Sequence, residues 1–399
     1  MKILVIHEVN YLEKVIFEMH EFPELLAQAG HEVHFLEFPE GTGLKHSQVK
    51  SKSTWVAGRV HPNARIKLIT PFTLGGNMLD RVIAPITVLP TLWKLLSKGS
   101  YDVVLLYSVP TSGWQTVKIA KHLHIPVVFR ALDVSHLIRE GFTSRLVRIA
   151  EKYVYKNATV ISANNPELGK YATTLGSRDD MAKVDNPPLE LTHFSHGNSY
   201  EIRTKLGIPS DAFVICYMGS LFSFSGLSQV LNDFAAMSNL NDYLVIVGGG
   251  EIGPKLKSEA IHLGVSSRVI FTGSIDYSLL PDYLSIANAL INPFEPTLLT
   301  NIAFPHKVLQ YLATGIPTVS TKLTGLHGVI EDKAGVFWVN TPDEVISQCF
   351  SLRSLSDNDV SQIGQLGKDF VSKEFSQEKS LQNLVITLEE SIKKMGKLS

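Results

Sequence analysis

The chain has 399 residues, of which 44% are hydrophobic and 19% are charged, and its formal net charge is −1. This length exceeds what one compact core usually supports, so we expect two domains, and the balanced composition excludes a disordered or collagen-like chain. Because the net charge is close to zero, it gives no general attraction for nucleic acid, and no nucleic-acid partner is expected.

The cysteines and the first residues bear on the cellular compartment. Cys216 and Cys349 both lie in apolar stretches, which favours buried thiols in a reducing compartment. The chain opens on the strand-like pattern MKILVIHEV, which is not typical of a secretory signal. The longest apolar run, 82–96, is short for a bilayer span and is interrupted by Pro85 and Pro90. A cytoplasmic location is therefore expected.

In the first part of the chain, short apolar runs alternate with longer amphipathic ones. Buried strands are predicted at 2–7, 32–38, 64–70, 102–108, 126–131 and 158–164. Helical patterns lie between several of them, and the pattern FEMHEFPELLAQAG ends at Gly30, a residue suited to a helix C-terminus. This alternation predicts a parallel sheet covered by helices on both faces.

The alternation stops at 185–201, which is rich in Pro, Asn, Ser and His, and then resumes. A second set of strands is predicted at 212–220, 242–250, 268–273, 288–294, 317–321 and 335–340. The fold class is therefore predicted as α/β, with two Rossmann-like, doubly wound domains facing each other across a cleft. The predicted boundaries are 1–190 and 191–375, and a C-terminal helix within 376–399 is expected to pack back on the first domain.

Two loops of the second half follow a strand and carry glycine. Gly219 and Ser220 follow the first strand, and Ser225 precedes the next helix. The second loop begins at Gly248 and continues through Gly250. Such loops bring backbone N–H groups close to an anion, but they also occur as ordinary turns, and both interpretations stay open. The GxxxxGK[ST] pattern of ATPases is absent from the sequence.

The stretch FPHKVLQYLATGIPTVS, residues 304–320, combines a turn, a short helix and a strand. Pro305 suits the first turn of a helix, and Gly315 suits its end. Lys307 and Gln310 lie one turn apart and share a face, where the cation favours an anion and the carboxamide suits a pair of ribose hydroxyls. An exposed lysine and glutamine on a surface helix is the alternative. The preceding loop carries the polar residues Glu295, Thr297, Thr300 and Asn301.

These motifs resemble the donor domain of a family 4 glycosyltransferase of the GT-B fold. The similar stretches, in order over about 170 residues, are YMGS followed by SGL, YLVIVGGGE, VIFTGSIDYSLLPDYLSIANALINPF and FPHKVLQYLATGIPTVST. In the first half, LLAQAGHEVHFL is similar to the family's helix-to-strand turn. The resemblance implies transfer of a sugar with retention from a nucleotide-sugar donor, without a metal or other cofactor, and implies donor contacts near Thr272.

The sequence departs from the family pattern at the donor site. Gln310 stands where relatives usually have a ribose-binding glutamate, and Ile302 stands where the earlier glutamate of the pair would fall. Glu295, seven residues upstream of Ile302, is the candidate substitute for that carboxylate. Ser220 and Ser225 stand where many relatives have Arg and Lys. Lys307, with helix N-termini and backbone N–H groups near Gly219 and Gly250, is then expected to stabilise the leaving diphosphate.

The acceptor is expected to bind the first domain at the ends of its strands. Candidates there are His7, Arg130, Asp133 and His136, and the last two are also assigned catalytic roles with Lys307. A buried carboxylate or a helix cap is the alternative for Asp133. No metal is expected, because Asp179 and Asp180 lie away from the donor side and His122 and His124 adjoin a buried strand.

The stretch 75–99 is apolar, with Trp93 near basic residues. It is either a core helix or an amphipathic element that docks on the inner face of a membrane. The sequence therefore predicts a glycosyltransferase that uses a UDP- or GDP-sugar and a glycan, lipid-linked or protein-linked acceptor. The alternative is a weak or inactive GT-B protein that binds a nucleotide sugar or a partner transferase.

Overall fold

The computed structural model describes residues 1–38, 51–73, 78–138, 141–178, 180, 182–194 and 197–396, and the side chains of 78–82 and 141–142 are outside this description. The chain divides into two compact units. The first consists of Met1–Pro188 and Gln377–Ser399, and the second of Leu189–Ser376.

Within the described residues, the first unit has an eight-stranded sheet in the order β3-β4-β2-β1-β5-β6-β7-β8. All neighbours are parallel except β3, which runs antiparallel to β4. Its strands are β1 (Lys2–Ile6), β2 (Glu32–Leu36), β3 (Lys52–Ala57), β4 (Arg65–Thr70), β5 (Val103–Leu106), β6 (Val127–Ala131), β7 (Val160–Ala163) and β8 (Lys183–Val184). The order reverses between β1 and β5, and ligands of doubly wound folds bind beyond the carboxyl ends of strands at such a point.

Helices connect these strands. They are α1 (Glu18–Gln28), α2 (Met78–Thr87), α3 (Leu89–Lys98), α4 (Gly113–His122), α5 (Gly141–Asn157) and α6 (Pro166–Gly176). The stretch 75–99, treated as one element above, contains two helices, because Pro90 lies at the start of α3 where a missing N–H costs nothing. Gly30 follows α1 at φ +87°, in agreement with its predicted place at a helix end.

The second unit has a six-stranded sheet in the order β11-β10-β9-β12-β13-β14, and every neighbouring pair is parallel. Its strands are β9 (Phe213–Met218), β10 (Asp242–Val247), β11 (Val269–Gly273), β12 (Ala289–Asn292), β13 (Thr318–Thr321) and β14 (Val336–Val339). Here the order reverses between β9 and β12, which is the strand order of dinucleotide-binding Rossmann folds.

The helices of the second unit cover this sheet. They are α7 (Leu191–Phe194), α8 (Ser199–Leu206), α9 (Leu227–Met237), α10 (Gly253–His262), α11 (Leu280–Ser285), α12 (Leu298–Ile302), α13 (Lys307–Thr314), α14 (Thr324–Ile330), α15 (Val345–Ser351) and α16 (Asp357–Glu374). Two apolar clusters fill the layers on the two faces, one containing Val308 and Leu312 of α13 and the other containing Val230 and Phe234 of α9.

The last helix, α17 (Gln377–Gly396), belongs to the first unit. Leu384 and Leu388 are fully buried in the core of that unit. The Thr387 hydroxyl donates to the Asp185 carboxylate at 3.0 Å, and the Ser380 hydroxyl donates to the Pro187 carbonyl at 3.2 Å.

The predicted fold class of two doubly wound α/β domains is confirmed, and every predicted strand is present. Strand β3 was not predicted because most of its side chains are exposed and it lacks an apolar run. Strand β8 is only two residues long. In the part of the chain that the structure describes, no helix combines the length and the apolar character needed to cross a bilayer.

Candidate active site

Three glycine-containing loops meet at the carboxyl ends of β9, β10 and β11. The Gly219 N–H donates to the Val247 carbonyl at 2.9 Å, and the Gly248 N–H donates to the Gly273 carbonyl at 2.9 Å. A Cβ at Gly248, where φ is +132°, would lie 2.0 Å from the Gly219 carbonyl oxygen. These glycines therefore allow close packing between loops, and the N–H groups of Gly219 and Gly248 are occupied, which corrects the expectation that the Gly219 N–H is available to a ligand.

Lys307, the first residue of α13, lies against the loop that follows β9. Its side chain is 8% exposed, and its Nζ has no hydrogen-bond partner among the described residues. The ammonium group lies 4.0 Å from the ring centroid of Tyr217 and 3.9 Å from that of Phe294. A Cβ at Gly219 would lie 3.7 Å from this Nζ. Burial holds the pKa of Lys307 well below its ordinary value.

The buried amino group of Lys307 has no hydrogen-bonding partner among the described residues, so its charged form lacks compensation. Burying a charge without a partner costs several kcal/mol, and facing rings return about 2 kcal/mol when the cation is desolvated. An anion at this point would supply the missing partner and favour the charged form of Lys307.

Helix α13 is tied to the end of β9 by the Tyr311 side chain. Its N-cap is His306, so Pro305 lies one residue before the cap and not in the first turn as expected. The Tyr311 hydroxyl accepts the N–H of Met218 at 2.8 Å, which ties the helix to the end of β9. The helix ends at Gly315 with φ +76°, as predicted. These contacts fix the position of Lys307.

The other residues predicted on the donor side are placed in several ways. Gln310 is half-buried and makes no side-chain hydrogen bond among the described residues, and Ser220 is exposed. The Ser225 hydroxyl is fully buried and has no partner in the described part of the chain. The Thr272 hydroxyl donates to the Gly273 carbonyl at 2.8 Å.

In the loop before α13, several of the polar groups make hydrogen bonds within the protein. Glu295 is exposed, and its N–H donates to the Phe224 carbonyl at 3.0 Å. Thr300 is buried, and its hydroxyl contacts the Glu295 carbonyl and the N–H of Thr297, which closes a capping box at the start of α12. Thr300 is thereby occupied with its own loop. A Cβ at Gly250 would lie 2.5 Å from the Leu221 carbonyl, so this glycine serves a close approach of loops.

A cavity of about 470 Å³ lies at the point where the strand order of the first sheet reverses. Three of the predicted acceptor-side residues line it, His7 after β1, Arg130 in β6 and Asp133 after β6. The His7 ring stacks on Tyr107 at 5.3 Å, and the Glu8 N–H donates to His7 Nδ1 at 2.8 Å. Burial, aided by the charge of the nearby Lys14 ammonium, lowers the pKa of His7 to about 3, so the ring is neutral at physiological pH.

Arg130 does not offer a free guanidinium to a ligand. Its Nε and Nη2 donate to the two Glu18 carboxylate oxygens at 2.7 and 2.9 Å, and both side chains are fully buried. Nη1 donates to the Asp185 carbonyl at 2.7 Å and to the Ser162 hydroxyl at 3.0 Å. Arg130 thus joins α1, β6, β7 and the segment before residue 188, and its charge is satisfied within the protein.

His136, predicted as catalytic, is outside the described lining of this cavity. Its Nδ1 lies 2.6 Å from the buried Glu151 carboxylate, and its ring stacks on Tyr171. The other Glu151 oxygen accepts the N–H of Ser135 at 3.0 Å. This placement supports a structural role and gives no support to catalysis by His136, since the partner lies on α5 and not in the cavity.

Sequence reasoning missed Glu8, Tyr217 and Phe294. Glu8 lines the first cavity directly after His7, and its position at a strand end was the available signal. The rings of Tyr217 and Phe294 read as core residues, because nothing in their spacing indicates that they enclose a lysine from another element.

The described residues contain no group of three or more His, Cys, Asp or Glu side chains placed to hold a metal ion. Asp180 pairs with Arg178 at 2.8 Å, and Asp179 lies outside the described residues. Metal-free chemistry stays a prediction.

Family comparisons match both units. The model described as glycosyl transferases group 1 matches residues 198–357, and the model described as glycosyl transferase 4-like domain matches residues 19–186. The chain therefore belongs to the GT-B glycosyltransferases of the family 4 type, as predicted.

Several solved structures share this fold. Anabaena HepE, in a complex with UDP-glucose, has a TM-score of 0.74 at 15% identity and covers 98% of this chain and 100% of its own. Sucrose-phosphate synthase from Thermosynechococcus elongatus has a TM-score of 0.73 at 17% identity, with 98% of each chain covered. At these identities the comparison establishes the fold.

Curated relatives are more similar in sequence but shorter in coverage. A D-inositol 3-phosphate glycosyltransferase from Corynebacterium efficiens is 26% identical over 237 residues, 56% of this chain and 54% of its own length. An uncharacterized glycosyltransferase from Methanocaldococcus jannaschii is 24% identical over 200 residues, 48% of this chain and 50% of its own. The chain spans about half the length of these relatives.

Proposed function

We propose that the protein transfers a sugar, with retention, from a UDP- or GDP-sugar bound by the second unit to a hydroxyl of an acceptor bound by the first. The observation that carries this proposal is the buried, unpartnered ammonium group of Lys307 at the point where the strand order reverses. HepE, which has a similar fold, was solved in a complex with UDP-glucose, and this supports a nucleotide-sugar donor.

In this proposal Lys307 binds the diphosphate and stabilises the charge that develops as the nucleotide leaves. Gln310, one turn along the same helix, binds the ribose hydroxyls. Ser220 and Ser225 add no cation, so Lys307 carries most of this stabilisation. The acceptor is a glycan, a lipid-linked sugar or a protein-linked sugar, and no metal takes part.

Nucleotide binding and turnover test the proposal. UDP or GDP should raise the melting temperature of the wild type, and Lys307→Met should abolish this shift because the ammonium group is lost. In a sugar-transfer or nucleotide-release assay, Lys307→Met should lower kcat by about 10²–10³, the loss expected for a group that stabilises developing charge. Gln310→Ala should cost less, since it removes neutral hydrogen bonds.

The exposed Lys322 provides a matched control. Lys322→Met should keep both the thermal shift and the turnover. If neither UDP nor GDP raises the melting temperature of the wild type, or if Lys307→Met keeps normal turnover, the proposed donor site is wrong.

Ser220 and Ser225 stand where many relatives have Arg and Lys, so the proposed donor site has fewer cations than usual. This supports a second candidate, a GT-B protein that binds a nucleotide sugar but transfers it weakly or not at all. A wild type that shows the Lys307-dependent shift but no turnover with any nucleotide sugar would favour this candidate over the first.

We also propose that the first unit docks on an anionic membrane surface. Helices α3, α4 and α5 pack in that order, and the single acidic residue in their sequences, Glu151, is buried. Their exposed cations are Lys94, Lys98, Lys118, Lys121, Arg145, Arg148, Lys152 and Lys156. Among these cations, Trp93, Leu146 and Ile149 expose half or more of their side chains. Cations with exposed apolar groups are typical of surfaces that bind anionic lipid.

A further inference from the structure

The cavity of the first unit carries information about its ligand. Its volume of about 470 Å³ suits one or two sugar-sized rings. Three loops line the cavity. The loop after β1 contributes His7 and Glu8, the loop after β5 contributes Tyr107 and Ser108, and the loop after β6 contributes Asp133. These loops lie at the carboxyl ends of the strands.

The segment 108–110, which lines this cavity, leads directly into α4, and helix N-termini are natural sites for phosphate. In this chain the position is already filled by Glu8. Its Oε1 accepts the N–H of Thr111 at 2.6 Å and that of Ser112 at 3.3 Å, and it also accepts the Ser108 hydroxyl. A phosphate that approached the start of α4 would therefore meet a carboxylate that holds the donors it needs.

The cations of the described lining do little to offset this repulsion. They are Arg130 and Lys14. Both oxygens of Glu18 engage the Arg130 guanidinium, so its charge is neutralised inside the protein. Lys14 contributes to the lowered pKa of His7, but it is exposed, so solvent screens its charge more than that of a buried cation. Asp133 adds a second carboxylate to the lining.

The remaining lining suits a neutral ring with hydroxyl groups. The His7 ring lies parallel to that of Tyr107, with an interplanar angle of 3°. The Phe17 ring lies perpendicular to the His7 ring, with 6.2 Å between the two ring centroids. Because His7 Nδ1 accepts the Glu8 N–H, the neutral ring carries its proton on Nε2 and can donate it. Aromatic surface, one neutral donor and carboxylate acceptors together match the C–H groups and hydroxyls of a saccharide.

We infer that this cavity takes an uncharged sugar or related polyol as acceptor, and that Glu8 determines this specificity by excluding phosphorylated acceptors. The inference rests on the proposed function, because it assigns the cavity to the acceptor. It adds the chemical class of the acceptor and one residue that selects it.

The test measures binding and needs no donor. Glucose and glucose 6-phosphate, and myo-inositol and its monophosphate, form matched probe pairs for saturation-transfer NMR titrations. All proteins carry Lys307→Met, which removes the buried amino group of the proposed donor site and lies outside the lining of the cavity in the first unit. The neutral member of at least one pair should bind at least about tenfold more tightly than its phosphorylated partner, as expected for a like charge at close range.

Glu8→Gln should reduce this preference about tenfold or more, because it removes the charge and keeps an oxygen that can accept the Thr111 N–H. The ratio of the two dissociation constants is the readout, since loss of a helix cap would weaken both probes equally and leave the ratio unchanged. Asp133→Asn removes the second carboxylate charge of the lining and should shift the ratio in the same direction by less. Exposed Glu13, outside the described lining, is the control, and Glu13→Gln should leave the ratio unchanged.

Three results would overturn the inference. They are a phosphorylated probe that binds as well as its neutral partner, a ratio that does not change in Glu8→Gln, and no binding by either neutral probe. None of them depends on the nucleotide site, so failure of the donor proposal is seen separately in the thermal-shift experiment.

Discussion

At the scale of single residues, the two buried cations Arg130 and Lys307 have different surroundings. Arg130 is paired with both oxygens of Glu18, whereas Lys307 has two aromatic rings and no hydrogen-bonding partner among the described residues. The first arrangement satisfies the charge within the fold and stabilises the contact between elements. The second has no hydrogen-bonding partner among the described residues, and this difference is why we propose a functional role for Lys307 and a structural role for Arg130.

The lowered pKa of Lys307 predicts a pH dependence of stability. Between that pKa and the ordinary value of 10.5, the unfolded chain binds a proton that the folded chain does not. The free energy of unfolding of the ligand-free wild type should therefore rise with pH across this window. Below the window, Lys307→Met should be more stable than the wild type by about 1.4 kcal/mol for each unit by which the pKa is lowered.

Chemical denaturation at a series of pH values measures this difference. The gap between the wild type and Lys307→Met should close as the pH approaches 10.5. Lys322→Met, which alters an exposed lysine, should follow the wild type throughout. Parallel pH profiles for the wild type and Lys307→Met would show that Lys307 keeps its ordinary pKa.

At the scale of elements, α13 depends on α16 for its position. A Cβ at Gly364 would lie 2.1 Å from the Gly315 carbonyl oxygen, and a Cβ at Gly367 would lie 3.2 Å from the Leu312 carbonyl oxygen. The two glycines let the helices approach until backbone meets backbone. Because α13 begins with Lys307, this packing also positions the residue on which the proposed donor site depends.

Gly364→Ala tests this contact. The methyl group would have to displace the backbone at the end of α13, so we expect a loss of about 1–3 kcal/mol in stability and weaker nucleotide binding. Gly328→Ala in α14 is the control, since nothing lies within 4 Å of its Cβ position. That change should be neutral or stabilising by up to about 1 kcal/mol. Equal melting temperatures for the two variants would contradict the close contact.

At the scale of the whole molecule, charge is unevenly distributed although the net charge is only −1. The face formed by α3, α4 and α5 is strongly basic, and the acidic residues that balance it lie elsewhere in the sequence. A net charge near zero excluded a general attraction to anions, but it did not exclude a local one. The proposed membrane surface follows from this distribution.

Co-sedimentation with vesicles tests that surface. The wild type should pellet with vesicles that contain anionic lipid at low salt and should stay in the supernatant with zwitterionic vesicles. Arg145→Gln with Arg148→Gln should weaken binding about 30-fold, since each cation near an anionic surface contributes about 1 kcal/mol. The exposed pair Lys255 and Lys257, on α10, should tolerate the same change. Equal losses in both double variants would argue against a specific surface.

Much of the fold could be predicted from the sequence, since apolar runs and helix ends such as Gly30 and Gly315 are local signals. The site could be predicted only in part. Lys307 was found because a proline, a helix and a glycine surround it within one stretch. The roles of Arg130 and Glu8 could not be found this way, because the Glu18 partner lies 112 residues from Arg130 and the Ser108 partner lies 100 residues from Glu8. Such pairs depend on topology, which local patterns do not specify.

The assignment of α17 to the first unit has a consequence for synthesis on the ribosome. Leu384 and Leu388 complete a core whose other fully buried residues all precede position 161, so this core lacks the residues of α17 until the whole second unit has been translated. The second unit, Leu189–Ser376, is continuous and is made without interruption. The nascent chain can therefore finish the later unit before it finishes the earlier one, and the apolar surface that α17 covers stays exposed until α17 has been made.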